Sequence, residues 1–283
     1  MRFGTHLHDI AYAYNEQEYL GDWVNLIGHQ RAAHHLLLEL FTPQTIMHSD
    51  TRRQIFTWYS RFDVVAGLLG GYGTILGREW YVASEEFHKR QAKSNPDDLE
   101  TQLLSIAAKC RTIGVDMGTL FAELPRGTIS MDQFMVQNHE LGETIRAVRV
   151  RLEELSRPEY AVFSFPEAEE LGLNDIVDPY QPGGLYRVPY FMLNVSWSDW
   201  NAMNLMHIYQ TALTLEQPIP AELETLALQQ CRILEAMEKW PESPTGCLLA
   251  THASLGIASL FLPKDYRHTM WLRKKLAIME QMG

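Results

Sequence analysis

Hydrophobic residues recur at helical spacing along most of this chain, and the clearest run lies between residues 99 and 124. The intervals in this run alternate between four and three residues, which keeps one face of an α-helix apolar. The apolar positions are Leu99, Leu103, Ile106, Cys110, Ile113, Met117, Leu120 and Leu124. The pattern predicts a long amphipathic helix that begins near residue 99.

Helix start signals accompany this pattern. Asn95-Pro96-Asp97-Asp98 offers a capping side chain, a proline suited to the first turn, and two carboxylates near the positive end of the helix dipole. Ser130-Met131-Asp132-Gln133 has the form of a capping box. Apolar residues follow at helical spacing from Phe134 to Leu155, so we predict a second long helix there.

Shorter segments show the same period. One helix has apolar positions at Ile55, Tyr59, Phe62, Ala66 and Leu69. No segment alternates with the period of two that is typical of a half-buried strand. We therefore predict an all-α fold of about nine or ten helices in a single domain spanning 1–283, in which about the first 20 residues are flexible.

Residues 157–190 interrupt the helical pattern. This stretch contains five prolines together with aromatic residues such as Tyr160, Phe165 and Tyr186. Free linkers are usually polar and poor in aromatic residues. We therefore predict an irregular strap that packs on the surface of the helical domain.

Composition and charge narrow the possible function classes. The chain of 283 residues is 46% hydrophobic, and 24 basic against 35 acidic residues give a formal net charge of −11. Nucleic-acid affinity depends largely on lysine and arginine, so this balance argues against DNA binding by this chain alone. Cys110, Cys231 and Cys247 are too few and too far apart for a disulfide framework. Without a signal peptide or an apolar run of about 18 residues, the sequence predicts a soluble intracellular protein with no membrane partner.

Two segments match known chemical motifs only in part. His139-Glu140-Leu141-Gly142-Glu143 has Glu143 where the zinc-protease pattern needs a second histidine. Residues 67–73, GLLGGYG, lack the lysine of a phosphate-binding loop and follow a helix, so we interpret them as a helix C-terminal turn. We predict no catalytic residue, no metal ligand and no cofactor for this chain.

Charged residues in two helices have candidate roles. Arg61 and Asp63 lie on opposite edges of the apolar stripe of their helix, so each is able to pair with a different neighbouring helix; two solvated charges are the alternative. A basic group near the C-terminus comprises Lys264, Arg267, Arg273, Lys274 and Lys275. This group is either a localisation signal or partner surface, or the polar face of a helix opened by Pro263.

One predicted helix, over residues 197–215, begins with large aromatic and flexible side chains. These are Trp197, Trp200, Met203 and Met206. Methionine and aromatic residues suit an adaptable apolar pocket, so the four residues are candidates for binding a small apolar effector. Ordinary core packing is the alternative.

Two blocks of sequence, residues 51–81 and 253–281, resemble the first and last signature blocks of the fungal-specific transcription factor regulatory domain. The segments Ile176-Val177-Asp178-Pro179-Tyr180 and Trp240-Pro241-Glu242-Ser243-Pro244, and Asn194 with Trp200, are also similar. The resemblance therefore extends from about residue 29 to residue 281. The signature positions are Trp58, Tyr59, Arg61, Asp63, Trp80, Pro263, Lys264, Asp265, Trp271, Arg273 and Lys274.

The resemblance implies an all-α regulator of transcription in a fungal nucleus that binds a small apolar effector, protein partners or both. The zinc binuclear cluster that precedes this domain in the family needs six cysteines, and the three cysteines here cannot supply it. We therefore expect neither zinc nor direct DNA binding from this chain alone. Two alternatives remain: a helical homodimerisation or assembly module without a ligand, and a metal-dependent hydrolase that uses some of the histidines.

Overall fold

The computed structural model describes residues 23–71 and 73–282, and these residues form an all-α fold. They contain nine α-helices and no β-strand, with one isolated antiparallel bridge between Ala161 and Tyr186. The predicted fold class and helix number are confirmed. The predicted flexible N-terminus lies outside the described residues, and the assignment of one domain to residues 1–283 stays a prediction.

The helices follow one another in chain order. Those of the first half are α1 (Trp23–Leu40), α2 (Asp50–Gly70), α3 (Arg78–Ser94), α4 (Leu99–Arg126) and α5 (Met131–Leu155). Those of the second half are α6 (Met192–Thr214), α7 (Glu222–Lys239), α8 (His252–Ser259) and α9 (Tyr266–Met282). Short 3-10 helices cover Thr45–His48, Pro158–Tyr160 and Cys247–Thr251.

Two predicted helices begin with side-chain capping contacts, although Pro96, expected in the first turn of the first of them, lies before that helix. The Asp98 carboxylate accepts hydrogen bonds from the backbone N–H groups of Glu100 and Thr101 and caps α4. At the start of α5, the N–H of Gln133 donates to Ser130 Oγ at 3.2 Å, and the N–H of Ser130 donates to Gln133 Oε1 at 2.8 Å. These reciprocal bonds satisfy helix-end donors that water or other groups would otherwise have to bind.

The chain divides into two compact units, Met1–Thr144 and Ile145–Gly283, and the boundary falls within α5. In the first unit, α3 and α4 run antiparallel. Glu85 of α3 pairs with Lys109 of α4 at 3.1 Å, and Arg78 near the start of α3 binds Asp116 further along α4. Helix α2 packs against α4 as well, so these three helices form the core of the unit.

The turn after α2 fits closely between α2 and α4. The helix ends at Gly71, which has a positive φ of 68° and donates its N–H to the carbonyl of Gly67. This confirms that the glycine-rich segment is a helix C-terminal turn. A Cβ on Gly67 would overlap the carbonyl group of Gly73, so only glycine fits at position 67.

Gly67→Ala is expected to lower the free energy of unfolding by about 2–3 kcal/mol, because backbone atoms of the turn must move to admit the methyl group. Gly256 of α8 is a matched control, since a methyl group added there would meet no other atom within 4 Å. Gly256→Ala should instead stabilise the protein by about 0.5–1 kcal/mol through helix propensity. Urea unfolding of both variants measures the difference, and equal effects would contradict the close packing at Gly67.

In the second unit, α6 and α7 run antiparallel. Gln230 of α7 donates to Ser198 Oγ of α6, and Asn201 Nδ2 of α6 donates to the carbonyl of Leu226 at 3.0 Å. Helix α8 packs against both of them, and Ser254 Oγ donates to Asp199 Oδ1 at 3.0 Å. The core of the unit therefore contains buried hydrogen bonds as well as apolar contacts.

The strap predicted over residues 157–190 is irregular, apart from its 3-10 turn, and it packs on the second unit. Phe165 contacts the rings of Tyr180 and Trp240 edge to face, at centroid distances of 5.3 and 5.4 Å. Asn194 of α6 holds the backbone of Tyr186, with hydrogen bonds of 2.8 and 2.9 Å to its carbonyl and N–H groups. Aromatic packing and these polar contacts attach the strap without regular secondary structure.

Candidate functional site

The inner face of α2 is centred on a fully buried carboxylate, Asp63. Its Oδ1 accepts hydrogen bonds from Gln30 Nε2 of α1 at 2.7 Å and from the N–H of Ile75 at 2.9 Å. Its Oδ2 accepts from the N–H of Leu76 at 3.0 Å and from the hydroxyl of Tyr81 of α3 at 2.6 Å. One side chain therefore ties α2 to α1, to α3 and to the turn between α2 and α3.

This arrangement answers the question that the sequence left open for Asp63, and the pairing of Arg61 stays a prediction. Asp63 is bound by neighbouring elements, as the first interpretation proposed, although the donors are an amide, a phenol and two backbone groups. Arg61 on the same helix is half-buried. Sequence reasoning missed Gln30 and Tyr81 as partners because they are 33 and 18 residues away and carry no local signal.

Three titratable groups of α2 and α3 are held neutral. Burial raises the pKa of Tyr59 and of Tyr81, and the charge of Asp63 raises both further. Burial also lowers the pKa of His88 on α3 from 6.5 to about 4, with additional repulsion from Arg111 and Arg53. Neutral phenols and a neutral imidazole suit a packed polar core, in which each added charge would have to be desolvated.

The lowered pKa of His88 predicts a specific loss of stability in acid. Because unfolded His88 binds its proton near pH 6.5 and folded His88 only near pH 4, stability falls as the pH drops through this window. The slope attributable to His88 should approach about 1.4 kcal/mol per pH unit between these values and vanish above about pH 7.5.

Urea unfolding of the wild type and of His88→Phe at a series of pH values measures this slope, because the difference between the two proteins isolates His88 from the carboxylates. The exposed His139 supplies the control variant His139→Gln, which should follow the wild type. Parallel pH profiles for the wild type and His88→Phe would contradict the buried, neutral state of His88.

The outer face of α2 is apolar as well, and it is not fully covered. Trp58 is 73% exposed and Ile55 is 44% exposed. Phe62, Val65 and Leu69 continue the same stripe and are half-buried. The apolar stripe that the sequence indicated for this helix therefore includes buried, half-buried and exposed residues. The buried face is centred on Asp63 and includes Phe56, Tyr59, Ser60, Ala66 and Gly67.

The charge on α2 differs in sign from that of the whole chain. Beyond its first residue, Asp50, the helix has one carboxylate, Asp63, and that side chain is fully buried. Arg52 and Arg61 lie half-buried on the helix, and Asp50 is bound by Arg53. The exposed residues of α2 after Asp50 are therefore all uncharged, namely Thr51, Gln54, Ile55, Trp58 and Gly70, and its arginines are half-buried.

Signature residues of the second unit also make packing contacts. The indole Nε1 of buried Trp271 donates to Glu235 of α7. Lys264 Nζ donates to the carbonyls of Ser259 and Leu260 at the C-terminal end of α8, each at 3.3 Å. These contacts join the last two helices to the rest of their unit.

Asp265 lies just before α9 and caps it, because its Oδ1 accepts a hydrogen bond from the N–H of His268 at 3.0 Å. Pro263 before it is half-buried, and Arg273 and Lys274 lie on the exposed side of α9. In the first unit, Trp80 is buried on α3. These placements complete the set of signature positions.

One member of the predicted basic group was misplaced. Lys275 is only 2% exposed, and its Nζ lies 2.8 Å from Glu235 Oε2 and 2.6 Å from Glu238 Oε2. The prediction that Lys275 belongs to an exposed basic surface is therefore wrong, because two carboxylates of α7 neutralise it inside the unit. The sequence did contain a signal for this ion pair. Glu235 lies four residues after Cys231, on the apolar stripe of its helix, where a carboxylate needs a partner.

The predicted apolar pocket residues all lie on α6. Trp197 and Trp200 contact each other edge to face at a centroid distance of 5.6 Å. Trp200 Nε1 also donates to the carbonyl of Ile145 at 2.8 Å. Trp200, Met203 and Met206 are buried, and Trp197 is partly exposed. Their role in binding an effector stays a prediction.

Among the described residues, no three histidine, cysteine, aspartate or glutamate side chains are grouped so that they could hold a metal ion. Within the same residues, every helix is too short or too polar to cross a lipid bilayer. No family model, curated protein or solved structure was found to match the chain. The functional interpretation consequently depends on the residues themselves.

Proposed function

We propose that this chain is a helical regulatory domain of a transcription regulator and that it acts by binding protein partners, not by catalysis. The order and spacing of the signature blocks support the proposal. The observation that carries the proposal is the outer face of α2, within the first signature block. There the indole of Trp58 is exposed on a helix whose opposite face is held by the hydrogen bonds of Asp63.

The placement of the signature residues agrees with a binding function. Asp63 and Trp271 have buried polar partners, and Lys264 binds the end of a helix. These residues join helices to one another and so hold the protein surface in place. Trp58, in the same signature block as Asp63, is instead exposed and can contact a partner. Action in the nucleus and recruitment through a separate DNA-binding protein belong to this proposal.

A tethering experiment tests the proposed function. The full chain is fused to a heterologous DNA-binding module in yeast, and transcription is measured from an activation reporter and from a repression reporter. We expect output from one of the reporters to change by about 3-fold or more relative to the module alone, since effects of about 1 kcal/mol on recruitment produce changes of this size. Unchanged output from both reporters, with the fusion present in the nucleus at normal abundance, would contradict regulation by this chain.

The version of the proposal that includes a small apolar effector has a separate test. Native mass spectrometry of the purified protein with a broad lipid panel should detect a bound ligand if α6 lines a pocket. Replacing Met203 and Met206 together with alanine should then abolish the adduct, whereas replacing exposed Met270 should preserve it. Absence of any adduct would remove the effector from the proposal and leave the protein-binding function.

A further inference from the structure

We infer that the exposed loop 166–175 of the second unit is a docking surface for a basic partner protein, with Leu173 as its anchor. The loop is the part of the strap that lies between the buried residues Phe165 and Ile176, and every residue in it is exposed. The inference rests on the proposed function, because it requires that this chain binds proteins, and it adds a surface that does not involve α2.

The apolar side chains of loop 166–175 face solvent. Leu173 is 96% exposed and Leu171 is 53% exposed. No other large hydrophobic residue in the described part of the chain is as exposed as Leu173. Pro166 and Ala168 of the same loop are exposed as well. A partner that covered this group would remove apolar surface from water, which favours association.

Contacts with the rest of the unit hold the loop in place. The ring contacts of Phe165 fix the backbone just before it. In the middle of the loop, Glu169 Oε2 lies 2.8 Å from Lys239 Nζ of α7. At its end, the guanidinium of Arg267 donates a hydrogen bond to the carbonyl of Asp175. The loop is therefore attached at its start, its middle and its end, although all of its residues are exposed.

A hydrogen-bonded turn presents Leu173. The N–H of Gly172 donates to Asp175 Oδ2 at 2.6 Å, and the N–H of Asp175 donates to the carbonyl of Gly172 at 3.1 Å. These two bonds close a four-residue turn in which Leu173 and Asn174 occupy the central positions. A side chain on a closed turn loses little conformational freedom on binding, so more of the contact energy appears as affinity.

Charge selects a basic partner. The loop contains neither lysine nor arginine, and it carries the carboxylates of Glu167, Glu169, Glu170 and Asp175. Lys239 binds one of them, whereas Glu167 and Glu170 form no ion pair with any residue that the structure describes. A partner with an apolar pocket for Leu173 and with lysine or arginine around that pocket would pair with these two carboxylates at the rim of the contact.

The same charge disfavours other occupants of the loop. Nucleic acids and anionic lipid surfaces are negatively charged, and a second copy of this chain has a formal net charge of −11. A metal ion would need several ligands in one place, and no group of three candidate ligands exists among the residues that the structure describes. A basic protein with an apolar pocket is therefore the occupant that this loop fits.

Selection from a phage-displayed library of random peptides tests the inference with the full chain as bait. The library is first depleted on the double variant Leu171→Ser with Leu173→Ser, so the peptides that the wild type then retains depend on these leucines. We expect the retained peptides to combine lysine or arginine with apolar residues. A synthetic copy of one of them should bind the double variant at least about 10-fold more weakly than the wild type, as measured by fluorescence anisotropy.

The matched control for the leucines is Ile219→Ser, because Ile219 is a 47% exposed apolar residue of the same unit. This variant should bind the peptide as the wild type does. The double serine variant should unfold at the wild-type temperature, since Leu173 and Leu171 are exposed and their replacement removes little packing.

Charge reversal tests the acidic rim separately. Glu167→Lys with Glu170→Lys should weaken binding of the peptide by about 10-fold or more, and raising salt from about 50 to about 500 mM should weaken binding to the wild type. Glu159→Lys with Glu216→Lys changes the net charge of the chain by the same amount at exposed positions outside the loop. This control variant should keep most of the wild-type affinity.

The remaining outcomes are distinct. Failure to retain any peptide after depletion, retained peptides without basic residues, or equal binding to both charge-reversed variants would each overturn the inference. A wild-type dimer that the double serine variant converts to a monomer would assign the loop to self-association, with the same consequence. Peptide binding as expected without reporter output would contradict only the proposed regulation, and reporter output without loop-dependent peptide binding would contradict only this surface.

Discussion

Asp63→Ala is expected to lower the free energy of unfolding by about 5 kcal/mol or more, which is a large part of the stability of an ordinary domain. The change would leave four donors without their acceptor, namely Gln30 Nε2, the Tyr81 hydroxyl, the N–H of Leu76 and the part-buried N–H of Ile75. Each such group loses a charge-assisted hydrogen bond, and the buried ones cannot reach water without opening the packing of α1, α2 and α3. Urea unfolding followed by circular dichroism measures the loss.

Two further variants make this prediction specific. Asp63→Asn keeps the volume and one acceptor oxygen, so it should cost about half as much as alanine. Asp50→Ala removes an exposed carboxylate from the same helix and should cost less than about 1 kcal/mol. An Asp63→Ala variant no less stable than Asp50→Ala would contradict the claim that the hydrogen bonds of Asp63 hold α1, α2 and α3 together.

Lys275→Met is expected to destabilise the protein by about 3–5 kcal/mol, because it would leave Glu235 charged and buried without its cation. The adjacent Lys274 is exposed, and Lys274→Met should be close to neutral. In the double variant Lys275→Met with Glu235→Gln, the buried charge is gone and the acceptor for Trp271 remains. That variant should recover at least half of the loss, as measured by the same urea titration. Additive losses in the double variant would contradict a coupled buried pair.

The sequence predicted the elements of the fold well where the signals are local. The helix after Ser130 begins at the predicted capping box, because capping depends on residues two or three positions apart. The helix from residue 99 begins where its apolar pattern predicts, but its cap is Asp98, and the proline expected in its first turn lies before the helix. The glycine turn after α2 was predicted from the same kind of local chemistry. The strap could be recognised because prolines exclude regular structure regardless of what packs nearby.

The packing of α2 could not be predicted with the same accuracy. Apolar residues occupy two faces of this helix, so periodicity alone does not decide which face is buried. Asp63 determines which face is buried, because its hydrogen-bond partners come from α1, from α3 and from the turn between α2 and α3. Ile55 was consequently placed in one apolar stripe with the buried Tyr59 although Ile55 is 44% exposed, and the exposure of Trp58 could not be predicted from the sequence.

The burial of Lys275 illustrates the same limit in the second unit. Three basic residues in a row, Arg273, Lys274 and Lys275, suggest a solvated face, and two of them are exposed. The third faces α7, where Glu235 and Glu238 are about 40 residues away in sequence. A sequence pattern identifies charged residues, but burial of one of them depends on a distant helix that supplies the opposite charge.

Helix α2 connects structure and proposed function because its two faces have different tasks. The inner face carries the hydrogen-bonded carboxylate that fixes the helix, and the outer face carries the exposed indole. Substitutions on the inner face should therefore reduce stability, and function only as a consequence. Substitutions on the outer face should reduce partner binding at unchanged stability.

The most direct test of this account is the reporter output of the tethered Trp58→Ala chain, measured together with its abundance and its unfolding temperature. We expect most of the wild-type effect on transcription to be lost while abundance and unfolding temperature stay unchanged. A Trp58→Ala chain that regulates the reporter as strongly as the wild type would contradict the claim that this helix face is the binding surface.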